Sequence, residues 1–446
     1  MQAPGLIIAA THSSAGKTLV TLGIIRSLTR RGLRVGSFKV GPDYIDPAFH
    51  LAAGAVSCAN LDSWAMRLAT VASLAEGAAA GVDVVIGEGV MGLFDGAVDG
   101  TGSTADVAAL LGLPVVLVLD VKGMGQSVAA MAEGFVKHRD DVDVLGLIFN
   151  RVGGERHAQL LAAAVDDHLA TARLGALPLD QGLALPSRHL GLVQAREQAG
   201  LVALLERAAD WIEAHLDLDR LLLLARPSAL AGFGRLEPPL PPLGQRIAIA
   251  DDVAFGFAYA AMREGWRAAG AGVHPFSPLA DEPPDEAADA VFLPGGYPEL
   301  YAGRLAGAGR FLGGLGRVAE RGAVIYGECG GFMVLGRTLI DRDGTPHAMA
   351  GLLPIATSFA APRLHLGYRR FRTRRLGPLG AAGTGYRGHE FHYARLVEGD
   401  DVPPLFDVAD ALDRPLGAAG AQLGRICGSF MHVIDRTPTH PRPATI

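Results

Sequence analysis

The sequence predicts two α/β domains in series, the first built on a doubly wound, mostly parallel sheet. Three observations carry this expectation. Short apolar strand candidates alternate with helix-length stretches through residues 5–149, and the same alternation resumes after residue 246. A phosphate-loop signature follows the first strand, and a glycine-flanked cysteine turn joins a strand to a helix in the second half. Between the halves, Pro227, Gly232, Gly234, Pro238, Pro239, Pro241, Pro242 and Gly244 crowd one stretch that reads as a linker. We therefore expect a first domain over 1–225, a linker over 226–245 and a second domain over 246–446. A chain of 446 residues is long enough for two or three domains.

Gly5 to Ala10 is the opening strand. It runs into Thr11-His12-Ser13-Ser14-Ala15-Gly16-Lys17-Thr18 and then the helical pattern Leu19 to Arg30. In this layout the backbone N–H groups of Ser13 to Gly16 cradle phosphate oxygens. Lys17 reaches the terminal phosphates of ATP, and the Thr18 hydroxyl can bind Mg²⁺. The first glycine of the usual pattern is Thr11 here. Further strands are expected at Arg34 to Val40, Asp83 to Gly87, Pro114 to Asp120 and Val144 to Phe149. Ligands of such sheets gather where strands end. Acidic residues fall at these ends: Asp43 and Asp46 in Gly41-Pro42-Asp43-Tyr44-Ile45-Asp46-Pro47, then Glu88, then Asp95. Carboxylates beside a phosphate loop suit Mg²⁺, which prefers oxygen ligands. Asn150 ends its strand, where it could recognise a base or ribose or simply cap the strand.

A net charge of −6 argues against general nucleic-acid binding. No apolar run is long enough to span a bilayer, and the N-terminal stretch lacks a signal-peptide pattern. Cys58, Cys329 and Cys427 are too few and scattered for a disulfide framework or a cysteine-only zinc site. A soluble, cytoplasmic protein is expected, with a homodimer left open as its assembly.

After the linker come a strand at Arg246 to Ala250, a helix at Gly256 to Ala269, a strand at Ala290 to Leu293, a helix at Ala308 to Arg321 and a strand at Ala323 to Tyr326. That last strand enters Gly327-Glu328-Cys329-Gly330-Gly331, the spacing of a nucleophile elbow with Cys as nucleophile. The following helix start favours a thiolate. Taken alone, the match also suits a small core cysteine. Two further pieces fit the chemistry. Leu293-Pro294-Gly295-Gly296 is a strand entering a glycine turn, so the N–H groups of Gly296 and Gly330 could form an oxyanion hole. His432, far downstream, is a candidate base for Cys329.

Together these pieces resemble the class I glutamine amidotransferases. The acid usual two residues after the histidine is Ile434 here, so the resemblance is to the branch working with a Cys–His pair, and a slow glutaminase is expected until the other site is loaded. Across both halves the chain is similar to the corrinoid amide synthases, and within them to the cobyrinic or hydrogenobyrinic acid a,c-diamide synthases. The strings that carry this are Val40 to Pro47, Glu88 to Gly96, Pro294 to Glu299, Tyr326 to Met333 and Gly388-His389-Glu390-Phe391-His392-Tyr393. Ala10 and Ser14 stand where that family usually has glycine.

The resemblance implies a dethiobiotin-synthetase-like ATP domain followed by a glutamine amidotransferase domain. It implies that glutamine is split at Cys329 and that ATP phosphorylates a carboxylate of a tetrapyrrole polycarboxylate. Ammonia then displaces phosphate, so that the a and c acetates are amidated in cobalamin biosynthesis. By the same resemblance Asp43, Asp46, Glu88 and Asp95 serve the ATP, metal and carboxylate site, with Tyr44 and Ile45 near the substrate. Mg²⁺ is the expected cofactor, with ATP and glutamine as co-substrates. Basic residues between Arg363 and Arg370 meet the polyanionic ring or form a solvated face. Two rivals stand beside this reading. One is a nickel-sirohydrochlorin a,c-diamide synthase. The other is a non-enzymatic partitioning-type P-loop ATPase with a binding module, though those carry an early loop lysine where this chain has His12.

Overall fold

A computed structural model describes residues 3–188, 191–230, 237–399 and 401–437. The chain divides into two compact units, Met1–Trp64 with Val71–Gly234, and Ala65–Thr70 with Arg235–Ile446. Residues 231–236 of the expected linker, including Gly232 and Gly234, lie outside the described residues.

The first unit is a seven-stranded sheet. Its strands are β1 (Gly5–Ala10), β2 (Val35–Val40), β3 (Ser57–Leu61), β4 (Val84–Glu88), β5 (Val115–Asp120), β6 (Val144–Val152) and β7 (Ala172–Pro178). They lie in the order β3-β2-β4-β1-β5-β6-β7, and every pairing is parallel. β1 is buried at all six positions, as expected of a strand covered on both faces. Helices α1 (Lys17–Arg30) and α2 (Asp46–Ala53) start just past the ends of β1 and β2. The two outer strands, β3 and β7, escape the sequence reading. Both are edge strands with mixed burial, so neither shows a continuous apolar run.

The second unit centres on a six-stranded sheet ordered Gly272–Phe276, Arg246–Ala250, Ala290–Leu293, Val324–Glu328, Ile426–Ser429, Ala421–Leu423. Only the last pairing is antiparallel. The helix expected from Gly256 begins at Ala260 instead, because Phe257 pairs with Gly295, its N–H donating to the Gly295 carbonyl at 2.9 Å. A five-stranded antiparallel sheet follows, ordered Pro415–Ala419, Phe406–Asp410, His365–Thr373, Gly385–His392, Met431–Arg436. The chain passes from one sheet to the other at Phe430, which carries His432 onto the antiparallel sheet three residues after Ser429. Residues 65–70 join this unit because Arg67 Nε and Thr70 Oγ1 donate to the buried Asp435 carboxylate at 3.0 and 2.6 Å.

Candidate functional site

In the first unit the phosphate loop leaves β1 and enters α1 through Gly16 (φ 96°). Ser14 has φ 65°, a left-handed backbone at the position where the family usually has glycine. Ser13 and Ser14 are exposed, whereas Ala15 is buried. Asn150, read as a base or ribose contact or a strand-end cap, braces the loop: its Nδ2 donates to the Ala15 carbonyl at 2.8 Å, and its Oδ1 accepts from the Arg151 N–H at 2.9 Å. Arg151 adds a second brace, donating to the Ser14 carbonyl at 2.8 Å. Lys17 Nζ donates to the Met91 carbonyl. Burial, and then Lys39, bring the Lys17 pKa down to about 8.

Lys39 is the residue the sequence reading missed. It lies 3% exposed in β2, and its strand register places it opposite Glu88 on β4. Its ammonium sits 2.7 Å from Glu88 Oε1 and 2.6 Å from Asp46 Oδ2. Glu88 is fully buried. Its Oε1 also accepts from the Thr18 hydroxyl at 2.6 Å, and its Oε2 lies 2.7 Å from His50 Nε2. Ser37, two residues before Lys39 and on the same face of β2, meets His50 Nδ1. Burial opposes ionisation of Glu88, but Lys39 and His50 outweigh it and hold the carboxyl well below its usual range. Burial likewise opposes a charged Lys39, yet Asp46 and Glu88 keep it protonated. Asp46 is the weakest acid of the group, raised to about 7 by burial and by Asp43. Asp43 Oδ1 accepts the N–H groups of Ile45 and Asp46 at 2.8 and 3.0 Å, which shapes the turn into α2. Ile45 is buried, and Tyr44 is half-buried. Asp95 is exposed and accepts the Gly92 N–H at 2.8 Å.

The expected metal ligands Thr18, Asp46 and Glu88 are thus gathered, with an ammonium between the two carboxylates. The Thr18 and Glu88 oxygens, 2.6 Å apart, are near the ~2.9 Å that separates neighbouring ligands of an octahedral Mg²⁺. Hydroxyl and carboxylate donors suit that ion. Asp46 and Glu88 share the Lys39 ammonium, and Glu88 is in addition the carboxylate that the Thr18 hydroxyl reaches.

In the second unit Cys329 occupies the elbow between Val324–Glu328 and the short helix Gly330–Leu335. Its φ of 45° with ψ of −101° is a strained backbone for a residue with a side chain. The turn packs so closely that a Cβ on Gly331 would fall 1.9 Å from the Leu293 carbonyl oxygen. Cys329 and His432 are brought together across Gly295. A Cβ added to Gly295 would meet His432 Cε1 at 2.5 Å and Cys329 Cβ at 3.3 Å. Burial, followed by Glu299, pushes the Cys329 thiol up, and the Gly330 N–H works against that rise. Burial, followed by His389, pushes His432 well below its ordinary value. Burial thus favours the uncharged form of both groups. Gly296 N lies 3.2 Å from where a Gly330 Cβ would be, so the turns that carry the two expected oxyanion donors are in close contact.

The position two residues after His432 is the buried Ile434, as the sequence states. A carboxylate nevertheless faces the imidazole. Glu328, one residue before the nucleophile, places Oε2 3.7 Å from His432 Nδ1, which is too long for a hydrogen bond. The sequence rule looks only downstream of the histidine, whereas this carboxylate arrives from the neighbouring strand. On its other side His432 stacks on His389, with ring centroids 4.7 Å apart and planes 5° apart, and the Tyr259 hydroxyl meets His389 Nε2 at 3.0 Å.

Arg369, in the stretch expected to meet a polyanion or to form a solvated face, is paired with Glu390 at 2.8 Å, and Arg370 with Asp413 at 3.2 Å. Among the described residues, His365, Glu390 and His392 bring three ligand-type atoms within 4.8 Å of one another. Glu390 there bridges Arg369 and His392, each through one oxygen. No described helix is long and apolar enough to cross a membrane.

A phosphate loop with buried carboxylates, joined to a cysteine elbow facing a histidine, defines an ATP-using domain fused to a glutamine amidotransferase. Residues 6–193 match the model of the CobQ/CobB/MinD/ParA nucleotide binding domain, and residues 246–438 match that of the CobB/CobQ-like glutamine amidotransferase domain. The chain is 53% identical over 438 residues to hydrogenobyrinate a,c-diamide synthase of Brucella suis biovar 1, covering 97% of this chain and 98% of that one. The same-named protein of Rhodobacter capsulatus is 53% identical over 436 residues, covering 96% and 98%. That of Mesorhizobium japonicum is 51% identical over 439 residues, covering 98% and 99%. The chain belongs to the hydrogenobyrinate a,c-diamide synthase family.

Proposed function

We propose that this enzyme amidates the a and c acetate carboxylates of hydrogenobyrinic acid, or of its cobalt-bearing counterpart cobyrinic acid, using ATP and glutamine. The observation that carries the glutamine half is the strained Cys329 elbow facing His432 across Gly295. The ring substrate comes from the name shared by relatives that align over nearly the whole chain.

In this reading the Cys329 thiol gives its proton to His432 and attacks the glutamine amide carbon. The developing oxyanion is held by the N–H groups of Gly296 and Gly330. The imidazolium protonates the departing ammonia, and water then releases glutamate from the thioester. At the other site a ring carboxylate attacks the γ-phosphoryl of ATP, giving an acyl phosphate and ADP. Ammonia displaces phosphate to leave the amide. Activation is required because a carboxylate offers no adequate leaving group until its oxygen carries phosphate. Lys17 faces the charge that builds on the transferred group, and the loop N–H groups from Ser13 to Gly16 hold the phosphates. Thr18, Glu88 and Asp46 would hold Mg²⁺, which would offset that same charge, and Lys39 holds the two carboxylates next to each other. Asp43, Tyr44, Ile45 and Asp95, at the strand ends beyond the loop, would meet the ring carboxylate.

A cytoplasmic location is part of the same proposal, and light scattering reads whether the chain works as a homodimer. The test is product mass after incubation with ATP, Mg²⁺ and glutamine and, in separate reactions, hydrogenobyrinic acid, cobyrinic acid and nickel-sirohydrochlorin. The diamide of one of the first two is expected. Turnover of nickel-sirohydrochlorin alone would replace this substrate assignment, and absence of any glutamine-dependent ATP hydrolysis with all three would overturn the enzyme reading.

A further inference from the structure

We propose that Glu328 is the positioning residue for His432, supplying from upstream of the nucleophile the carboxylate that the chain lacks downstream of the histidine. This rests on the assignment of Cys329 and His432 as nucleophile and base.

Geometry carries it. Glu328 is the last residue of the strand that delivers Cys329, and it is 2% exposed. Its Oε1 accepts two hydrogen bonds, from the Tyr326 hydroxyl at 2.8 Å and from the Val433 N–H at 3.1 Å. Tyr326 lies two residues earlier on the same strand face, and Val433 is the neighbour of His432. The carboxylate is therefore clamped by both the strand of the nucleophile and the strand of the base. What remains is Oε2, 3.7 Å from His432 Nδ1. Such contacts are often long before substrate binds and tighten in the reacting complex.

A carboxylate at Nδ1 decides which tautomer the ring adopts. With the proton held on Nδ1, the lone pair sits on Nε2, the nitrogen left to take the Cys329 proton. That transfer makes an imidazolium in a site where burial opposes it. Among the described contacts of the ring, Glu328 is the carboxylate placed at Nδ1 to face the new charge. His389 is stacked on it and is itself driven to about 3 by burial, so it stays neutral. His392 disfavours a charged His432. Glu390 is engaged with Arg369 and His392, and Glu299 is among the groups that act on the Cys329 thiol. Burial raises the Glu328 carboxyl to about 8. Its ionised, charge-stabilising form therefore accumulates as pH rises through that value, and glutamine use is expected to rise with it.

The test compares wild type with Glu328→Gln, Glu328→Asp and Cys329→Ala, each assayed for ring amidation with glutamine and with ammonium salt. Glu328→Gln keeps the shape but removes the charge. We expect its glutamine-dependent kcat to fall by about 10²–10⁴-fold, the range of a mispositioned general base. The KM for glutamine and the ammonium-dependent rate should stay near wild type, and Glu328→Asp should recover part of the loss. The glutamine-dependent kcat should rise through pH 8 in wild type and stay flat in Glu328→Gln, while amidation at a fixed concentration of free ammonia should show no such difference between the two. A Glu328→Gln enzyme with wild-type kcat and pH profile would overturn the proposal. Equal loss of both activities would also overturn it, by showing a purely structural role. Glutamine-dependent activity surviving in Cys329→Ala would instead refute the underlying assignment.

Discussion

Replacing Gly295 by alanine should damage the glutaminase reaction while leaving the rest of the enzyme intact. The residue has an ordinary backbone φ, so alanine brings no strain of its own. Its new methyl carbon would lie 2.5 Å from His432 Cε1, 3.4 Å from Nδ1 and 3.3 Å from Cys329 Cβ. Carbon atoms in ordinary contact sit about 3.5 Å apart, so the imidazole must retreat by about 1 Å. It has no open side to retreat to, because His389 stacks on it. A displacement of that size at a reacting group costs about 10²-fold in rate, or ~2.7 kcal/mol of barrier. The assay is glutamate release during ring amidation, with ammonium-dependent amidation as the internal control. We expect Gly295→Ala to lose about two orders of magnitude in the first and to keep the second. Wild-type glutamine-dependent kcat in this variant would refute the placement of His432 against Gly295.

Two further predictions concern the first unit. Lys17 is lowered to about 8 by burial and Lys39, so near that pH part of the nucleotide-free protein carries an uncharged lysine. Phosphate binding favours the charged form, and ATP binding should therefore take up protons near pH 8 and weaken as pH climbs further. Calorimetry in two buffers of different ionisation enthalpy measures this, and proton release would contradict it. Lys39→Met would strip the ammonium from two buried carboxylates. Breaking a buried pair costs about 3–5 kcal/mol, which should appear as an earlier denaturant transition of the nucleotide-binding unit, partly restored by Mg²⁺. An unchanged transition would count against the ion-pair arrangement.

Strong local signals made much of this legible in the sequence. β1, β5 and most of β6 are continuous apolar runs because both faces are covered. The phosphate loop and the elbow are legible because their tight turns restrict which residues fit. β3, β7 and the antiparallel strands of the second unit carry mixed, half-exposed patterns that resemble loops. Lys39 was missed although it left a trace, a charged residue inside the strand Val-Gly-Ser-Phe-Lys-Val. Its role depends on the β2–β4 register, which no local pattern encodes. Glu328 sat in plain view beside Cys329, but its meeting with His432 depends on the return of the chain at Ser429, where the Cys329 N–H donates to the Ser429 carbonyl at 2.8 Å. Of the two roles the sequence left open for Asn150, the structure shows the bracing one.

The most direct test of the whole account is to follow nitrogen from glutamine into the ring. Wild type and Cys329→Ala are incubated with ATP, Mg²⁺, hydrogenobyrinic acid and glutamine labelled with heavy nitrogen at its side-chain amide, and the product is read by mass spectrometry. The account predicts a diamide carrying label at both new amides from wild type, and no labelled amide from Cys329→Ala. The variant should still form unlabelled diamide when ammonium salt replaces glutamine. Labelled diamide from Cys329→Ala, or no amidation of the ring by wild type, would contradict it.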